Sequence, residues 1–174
     1  MINLNLPLQR INSWDVALCI FCNRQSANWT IRNLFLVISR LGDGVFWYTL
    51  MIVLLLRYQF AALPAVLHML AVGLFGTAIY KLIKGRALRP RPFNVYPAII
   101  CVGKTLDKFS FPSGHTMHAV SFSIIAVFYF PALIWLVLPF AVSVALSRPI
   151  LGLHYPSDVL AGAALGASIA LLSL

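Results

Sequence analysis

The 174 residues leave room for one domain, and 61% of them are hydrophobic while only 10% are charged. A water-facing domain carries roughly 25% charged residues, so the chain belongs in a bilayer. Its acids are four aspartates, Asp15, Asp43, Asp107 and Asp158, against 13 Lys and Arg and a net charge of +9; so few carboxylates exclude two-metal phosphoryl transfer and a glycosidase acid pair.

Met1–Asn12 shows no basic stretch followed by an apolar core, so no cleavable signal peptide is expected. In Ser13–Cys22, Trp14, Ala17, Leu18 and Phe21 recur at helical spacing, and Leu34, Phe35, Ile38 and Leu41 do the same in Ile31–Leu41. Both segments are expected to be helices lying in the membrane interface or packed on the membrane domain, so that residues 1–42 form an interfacial unit. Cys19 and Cys22 have the spacing of a redox or zinc motif, but they sit in an apolar helical pattern without a second ligand pair. With Cys101 they are expected to be spectators.

Gly42-Asp43-Gly44 breaks the pattern. Five apolar runs follow, at Val45–Leu56, Phe60–Ile83, His115–Phe130, Ala132–Ser147 and Val159–Leu174. They predict about five transmembrane helices, the first extended back through the glycine break or tilted. Pro64 and Pro139 are expected to kink their spans, and Pro131 to mark a tight turn. The expected fold class is therefore all-α: an integral-membrane helical bundle, one domain over residues 1–174. Counting crossings puts the basic loop Lys84–Pro112, His115, Ser147-Arg148 and Asp158 on one face of the membrane.

Three clusters meet on that face. Lys84, Arg91 and Arg148 offer a point charge and two forks suited to phosphate oxygens, although any one of them could be a snorkelling anchor. Pro112-Ser113-Gly114-His115 opens a span, where free N–H groups attract an anion and Ser113 could also act as an N-cap. His154 and Asp158 lie four residues apart across Pro156. The carboxylate can thus orient one ring nitrogen and leave the other as nucleophile or base. His118 reads as a polar helix contact. His68 lies mid-span with no partner visible in the sequence. Gly162 and Gly166, amid Ala161, Ala163, Ala164 and Ala167, form a small-residue face for packing within the chain or between subunits of a homo-oligomer.

Taken in order, Lys84…Arg91-Pro92, Pro112-Ser113-Gly114-His115 and Ser147-Arg148…His154…Asp158 resemble the complete three-part signature of the type 2 phosphatidic acid phosphatase family. The resemblance implies a membrane lipid phosphatase in which His154 attacks phosphorus, Asp158 orients it and His115 protonates the leaving lipid oxygen. Lys84, Arg91, Arg148 and the N–H groups of Ser113 and Gly114 would hold the phosphate, with no metal and no cofactor. Phosphatidate, phosphatidylglycerol phosphate and undecaprenyl diphosphate all fit such a site. Competing readings are a phosphotransferase or haloperoxidase-like variant of the fold and a non-catalytic lipid-binding protein. Family members often have six spans, one more than counted here. The resemblance further implies a bacterial inner membrane. The positive-inside rule, counted over Arg10, Arg24, Arg32, Lys104 and Lys108 against Arg57, argues for a cytoplasmic site. A phosphate site is cationic on either side, however, and an extracytoplasmic site is the expectation.

Overall fold

A computed structural model describes residues 5–105 and 107–174, with side chains from residue 12 onward. The expectations placed on residues 1–11, Arg10 among them, lie outside the described side chains. Described residues form α1 (Asn5–Arg24), α2 (Trp29–Arg40), α3 (Phe46–Tyr58), α4 (Leu63–Ala87), the one-turn α5 (Pro92–Val95), α6 (Gly114–Tyr129), α7 (Ile134–Ile150) and α8 (Pro156–Ser173). The all-α bundle stands as expected, and α3, α4, α6, α7 and α8 match the five apolar runs. Three stretches of the described residues are long and apolar enough to cross a membrane: Trp29–Val95, Pro131–Ile150 and Pro156–Ser173. The first contains α2 to α4 and doubles back at residues 59–62, where Gln59 has φ 48°. At 16 residues α6 falls short of that length, yet it packs between α4, α7 and α8 at the heart of the bundle.

The core runs through Trp47, Leu54, Met69, Met117, Ile125 and Val137, contributed by α3, α4, α6 and α7. Outward positions such as Leu56, Phe60, Trp135 and Leu172 are strongly exposed, the inverse of a water-soluble surface and the form a lipid-facing one takes. On α8, a Cβ on Gly162 would lie 2.4 Å from Ser113 O and one on Gly166 2.3 Å from Met117 O. Gly162 and Gly166 therefore pack on α6 of the same chain, the first of the two uses expected of the small-residue face.

One local expectation changes, and one open alternative narrows. Pro64 sits in the first turn of α4, where a missing N–H leaves no bond unmade, so it starts the helix instead of kinking it; Pro139 does lie inside α7. In α1 the apolar stripe does not face protein. Trp14, Leu18 and Phe21 point outward, with Trp14 78% exposed, while Asp15, Cys19 and Asn23 are buried. Lipid satisfies an apolar face, whereas polar groups need protein partners. Asn23 finds them by donating to the carbonyls of Ile100 and Ile150 and accepting from the Ile100 N–H. Cys19 packs with Ile99 and Tyr155, and burial first, then the charge of Asp15, pushes its thiol up to about 12. It is an inert core residue.

Candidate active site

The antiparallel course of the spans brings the C-termini of α4 and α7 beside the N-termini of α6 and α8. Lys84 ends α4, Arg91 follows it, Arg148 ends α7, His115 is the second residue of α6, and His154 and Asp158 flank the start of α8. The connection between α4 and α6 is pinned by its backbone: Ser110 donates to Arg89 O, and Val102 to Leu151 O. Between α7 and α8, the N–H groups of Leu153 and His154 both turn back to Arg148 O. Gly152, at φ 72°, is pressed against Ile100 O so closely that a Cβ would meet it at 2.5 Å. These loops are fixed, and so are the side chains they carry.

His154 is 2% exposed. Its Nε2 lies 3.5 Å from Arg91 Nη1, and Arg91 is itself held by Leu153 O at 2.8 Å and Asp107 O at 2.9 Å. The other ring nitrogen, Nδ1, faces Asp158 Oδ2 at 3.7 Å and has no hydrogen-bond partner. The expected His154–Asp158 couple is thus an approach beyond hydrogen-bond length. The reason is competition: Asp158 Oδ2 accepts the Tyr155 N–H at 2.9 Å and Oδ1 accepts Arg89 Nη1 at 2.7 Å. Burial, then the charges of Arg148, Arg91, Lys84 and His115 in that order, holds the His154 imidazole well below its ordinary basicity. The same four charged or chargeable groups that the motif predicts therefore act on one ring.

Arg148 is buried, donates to Ser39 Oγ at 2.5 Å and leaves Nε without a partner. Lys84 Nζ bonds Tyr80 Oη at 2.7 Å and Asp107 Oδ2 at 2.9 Å. Ser113 behaves differently from expectation. Its N–H donates to Asp158 O at 3.0 Å and its hydroxyl pairs with Thr116, so its amide ties α6 to α8 instead of facing an anion. Gly114, packed on the Tyr80 ring where a Cβ would meet carbon at 2.9 Å, keeps the N–H of a helix start.

Four partners of the site carry no motif label. Asp43 contacts His115 Nε2. Asp107 joins Tyr80 and Lys84; burial, which raises its carboxyl, is outweighed by their hydrogen bonds and by nearby cations, which hold it below the usual range. Arg89 bridges Asp158, Asp15 and Ser157 and lies 3.9 Å over the Tyr155 ring. Every aspartate of the chain thus contacts the site or its supports. The signal was in the sequence, since an acid in so apolar a chain needs a partner; the identity of each partner was not. His118 is a polar helix contact as expected, bonding Gly114 O and Thr77 Oγ1. His68 does have partners, Tyr129 and Ser173 at the opposite end of the bundle. Among the described residues no three His, Cys, Asp or Glu side chains gather as a metal-ligand set.

A cavity of about 390 Å³ opens beside this cluster, between α3, α4 and α6. His115, Asp107 and Tyr80 stand at its polar end, and Trp47, Leu70 and Phe122 line its apolar depth. Lys84, bonded to Tyr80 and Asp107, stands behind its polar end.

A family model described as the PAP2 superfamily matches residues 61–174. The decaprenylphosphoryl-5-phosphoribose phosphatase of Mycobacterium tuberculosis is 40% identical over 94 residues, 53% of this chain and 50% of that protein. The undecaprenyl-diphosphatase of Sulfolobus acidocaldarius is 29% identical over 149 residues, 83% of this chain and 70% of that one. The match thus spans about half the length of the mycobacterial relative. Among solved structures, the transmembrane PAP2-type phosphatidylglycerolphosphate phosphatase of Bacillus subtilis superposes with a TM-score of 0.74 at 26% identity, covering 94% of this chain and 84% of that one.

Proposed function

The chain belongs to the PAP2 superfamily, and on that footing we propose that it is an integral-membrane lipid phosphatase working through a phosphohistidine on His154. Residues 1–174 form its single domain, and residues 84–158 carry the chemistry. The observation that carries this reading is the 3.5 Å approach of Arg91 Nη1 to His154 Nε2, inside a group of cations beside a cavity with a polar end and an apolar depth.

With the proton on Nδ1, facing Asp158, the lone pair sits on Nε2. Nε2 attacks phosphorus, the bond from phosphorus to the lipid oxygen breaks, and His115 gives that oxygen its proton. Water then attacks the phosphohistidine, His115 takes the proton back, and inorganic phosphate leaves. Lys84, Arg91, Arg148 and the Gly114 N–H stabilise the charge on the transferred group; Ser113 shapes the turn that presents Gly114. Asp158 balances the imidazolium, and Arg89 anchors Asp158. These groups supply the positive charge that a metal would otherwise bring.

A lipid phosphate or diphosphate is the substrate class, in keeping with relatives named as a decaprenylphosphoryl-5-phosphoribose phosphatase and an undecaprenyl-diphosphatase. The membrane is a bacterial inner membrane and the site faces the extracytoplasmic side. Self-association of the chain would have to use surface other than the α8 face already covered by α6. The reading is tested with purified protein in detergent and EDTA, following free phosphate from phosphatidate, phosphatidylglycerol phosphate and undecaprenyl diphosphate. Release that survives EDTA and disappears in His154→Ala supports it. Equal activity in that variant, or transfer of phosphate to an added acceptor without free phosphate, overturns it.

A further inference from the structure

Two groups of the site take a partner from one short segment that precedes the residues matched by the family model. Arg148 donates to Ser39 Oγ in the last turn of α2, and four residues later Asp43 Oδ1 contacts His115 Nε2. Asp43 lies in the π-helical turn Leu41–Val45 between α2 and α3. Gly42 is pressed against α7, where a Cβ would lie 3.0 Å from Val144 Cγ2. Gly44 takes φ 136°, a conformation that L side chains rarely adopt. Packing on one side and glycine geometry on the other thus fix where the carboxylate stands, and such turns frequently mark functional sites.

The contact gives the two nitrogens of His115 different tasks. A carboxylate accepts a hydrogen bond only from a protonated nitrogen, so Nε2 keeps its proton in the neutral ring and in the charged one. Nδ1 has no partner among the described residues. We infer that Asp43 is the positioning residue of the proton donor: it holds His115 through Nε2–H and leaves Nδ1 to give and take the proton. The inference rests on the phosphatase reading and deepens it.

The protons balance. In the first step the imidazolium passes its Nδ1 proton to the lipid oxygen as the bond from phosphorus to that oxygen breaks, and the neutral ring keeps Nε2–H on Asp43. In the second, Nδ1 takes a proton from the attacking water and the imidazolium returns. The positive charge forms and vanishes beside one fixed carboxylate, which favours the charged form. The other charged or titratable groups facing His115 are Arg148 of α7, His118 one turn along α6, His154 ahead of α8, and Asp107 and Tyr80, which share the cavity. Arg148 opposes a second positive charge. Without Asp43 the ring would favour its neutral form and meet the substrate with no acidic proton to give.

The test measures kcat/KM for phosphatidate from about pH 5 to pH 9 in wild type, Asp43→Asn and Asp43→Glu. Asparagine can still accept the Nε2 hydrogen bond but carries no charge. In that variant the basic limb, where His115 loses its proton, should move down by about one pH unit, and kcat/KM above the limb should fall about 10-fold. The acid limb set by His154 should stay in place. The thermal midpoint should stay near that of wild type, since the Asp43 side chain is 43% exposed and the exchange is nearly isosteric. Asp43→Glu restores the carboxylate and should return the limb toward its wild-type position. An unmoved basic limb overturns the inference, and so does a thermal midpoint that falls together with activity. Equal or higher activity in Asp43→Asn would show that Asp43 only blocks Nε2, and overturns it too. In each of these cases phosphate release that is lost in His154→Ala leaves the phosphatase reading intact. No release by wild type would remove both.

Discussion

Arg91 Nη1 lies 3.5 Å from His154 Nε2 while the same guanidinium is held by the carbonyls of Leu153 and Asp107. One cation thereby faces the nitrogen proposed as nucleophile, from a position set by two loops. A phosphate arriving at Nε2 meets a fork already aimed.

Replacing that fork with a flexible point charge should show its value. Arg91→Lys keeps the charge but cannot retain both carbonyl bonds and face the phosphate. We expect kcat/KM on a lipid phosphate to fall about 100-fold, with the thermal midpoint in detergent lowered much less. Activity within threefold of wild type would contradict the assignment.

The buried imidazole predicts a pH dependence. Since the folded pKa of His154 is depressed below the ordinary value, Nε2 keeps its lone pair well into acid, and the acid limb of kcat/KM from this group should lie below pH 6.5. For stability the sign follows from proton uptake. Above the unfolded pKa neither state is protonated at this residue. As pH falls below it, the unfolded chain takes the proton first and the folded state loses about 1.4 kcal/mol per pH unit, down to the folded pKa. Unfolding followed from pH 8 to pH 5 should show this loss in wild type and less of it in His154→Gln.

Packing of α8 on α6 should be intolerant of a single methyl. Gly166→Ala places a carbon 2.3 Å from Met117 O, and Gly162→Ala one 2.4 Å from Ser113 O. Backbone on the receiving side cannot swing away. Each change should destabilise by about 2 kcal/mol or more, and Gly162→Ala should also lower activity because Ser113 leads into Gly114 and His115. Thermal unfolding alongside phosphate release checks both.

Arg89 supports Asp158 without reaching the phosphate. Arg89→Gln removes the cation paired with both Asp15 and Asp158. A buried carboxylate left alone costs about 3 kcal/mol, so both stability and kcat should fall while KM changes little. An unchanged thermal midpoint would count against this role.

Sidedness can be measured with a native thiol. Cys101 is exposed and lies in the connection that carries the site, whereas Cys19 is buried. In a Cys19→Ser, Cys22→Ser background, an impermeant maleimide added to intact cells should label Cys101. It should not label an Arg57→Cys reporter introduced in a form lacking Cys101. The opposite pattern places the site in the cytoplasm.

Much of this was legible from residue order. The period and length of the apolar runs set the helices, because a segment with no water to bond its backbone must close its own hydrogen bonds. The even number of crossings between clusters set their common face. The alternatives left open have one cause. The apolar stripe of α1 and the small residues of α8 each announce a contact but not its partner. In a membrane, lipid competes with protein for every apolar face.

By itself, then, the sequence determined that the chain is a membrane bundle and that two imidazoles and three cations share one boundary, since periodicity, length and parity are local properties. Only the tertiary structure decided which aspartate meets which base: Asp43 with His115, Asp107 with Lys84, Asp15 and Asp158 with Arg89. Those pairs join residues from 23 to 74 positions apart. No spacing rule reaches that far. The high energy of an unpartnered carboxylate in an apolar surround demands a partner, and the fold alone supplies it.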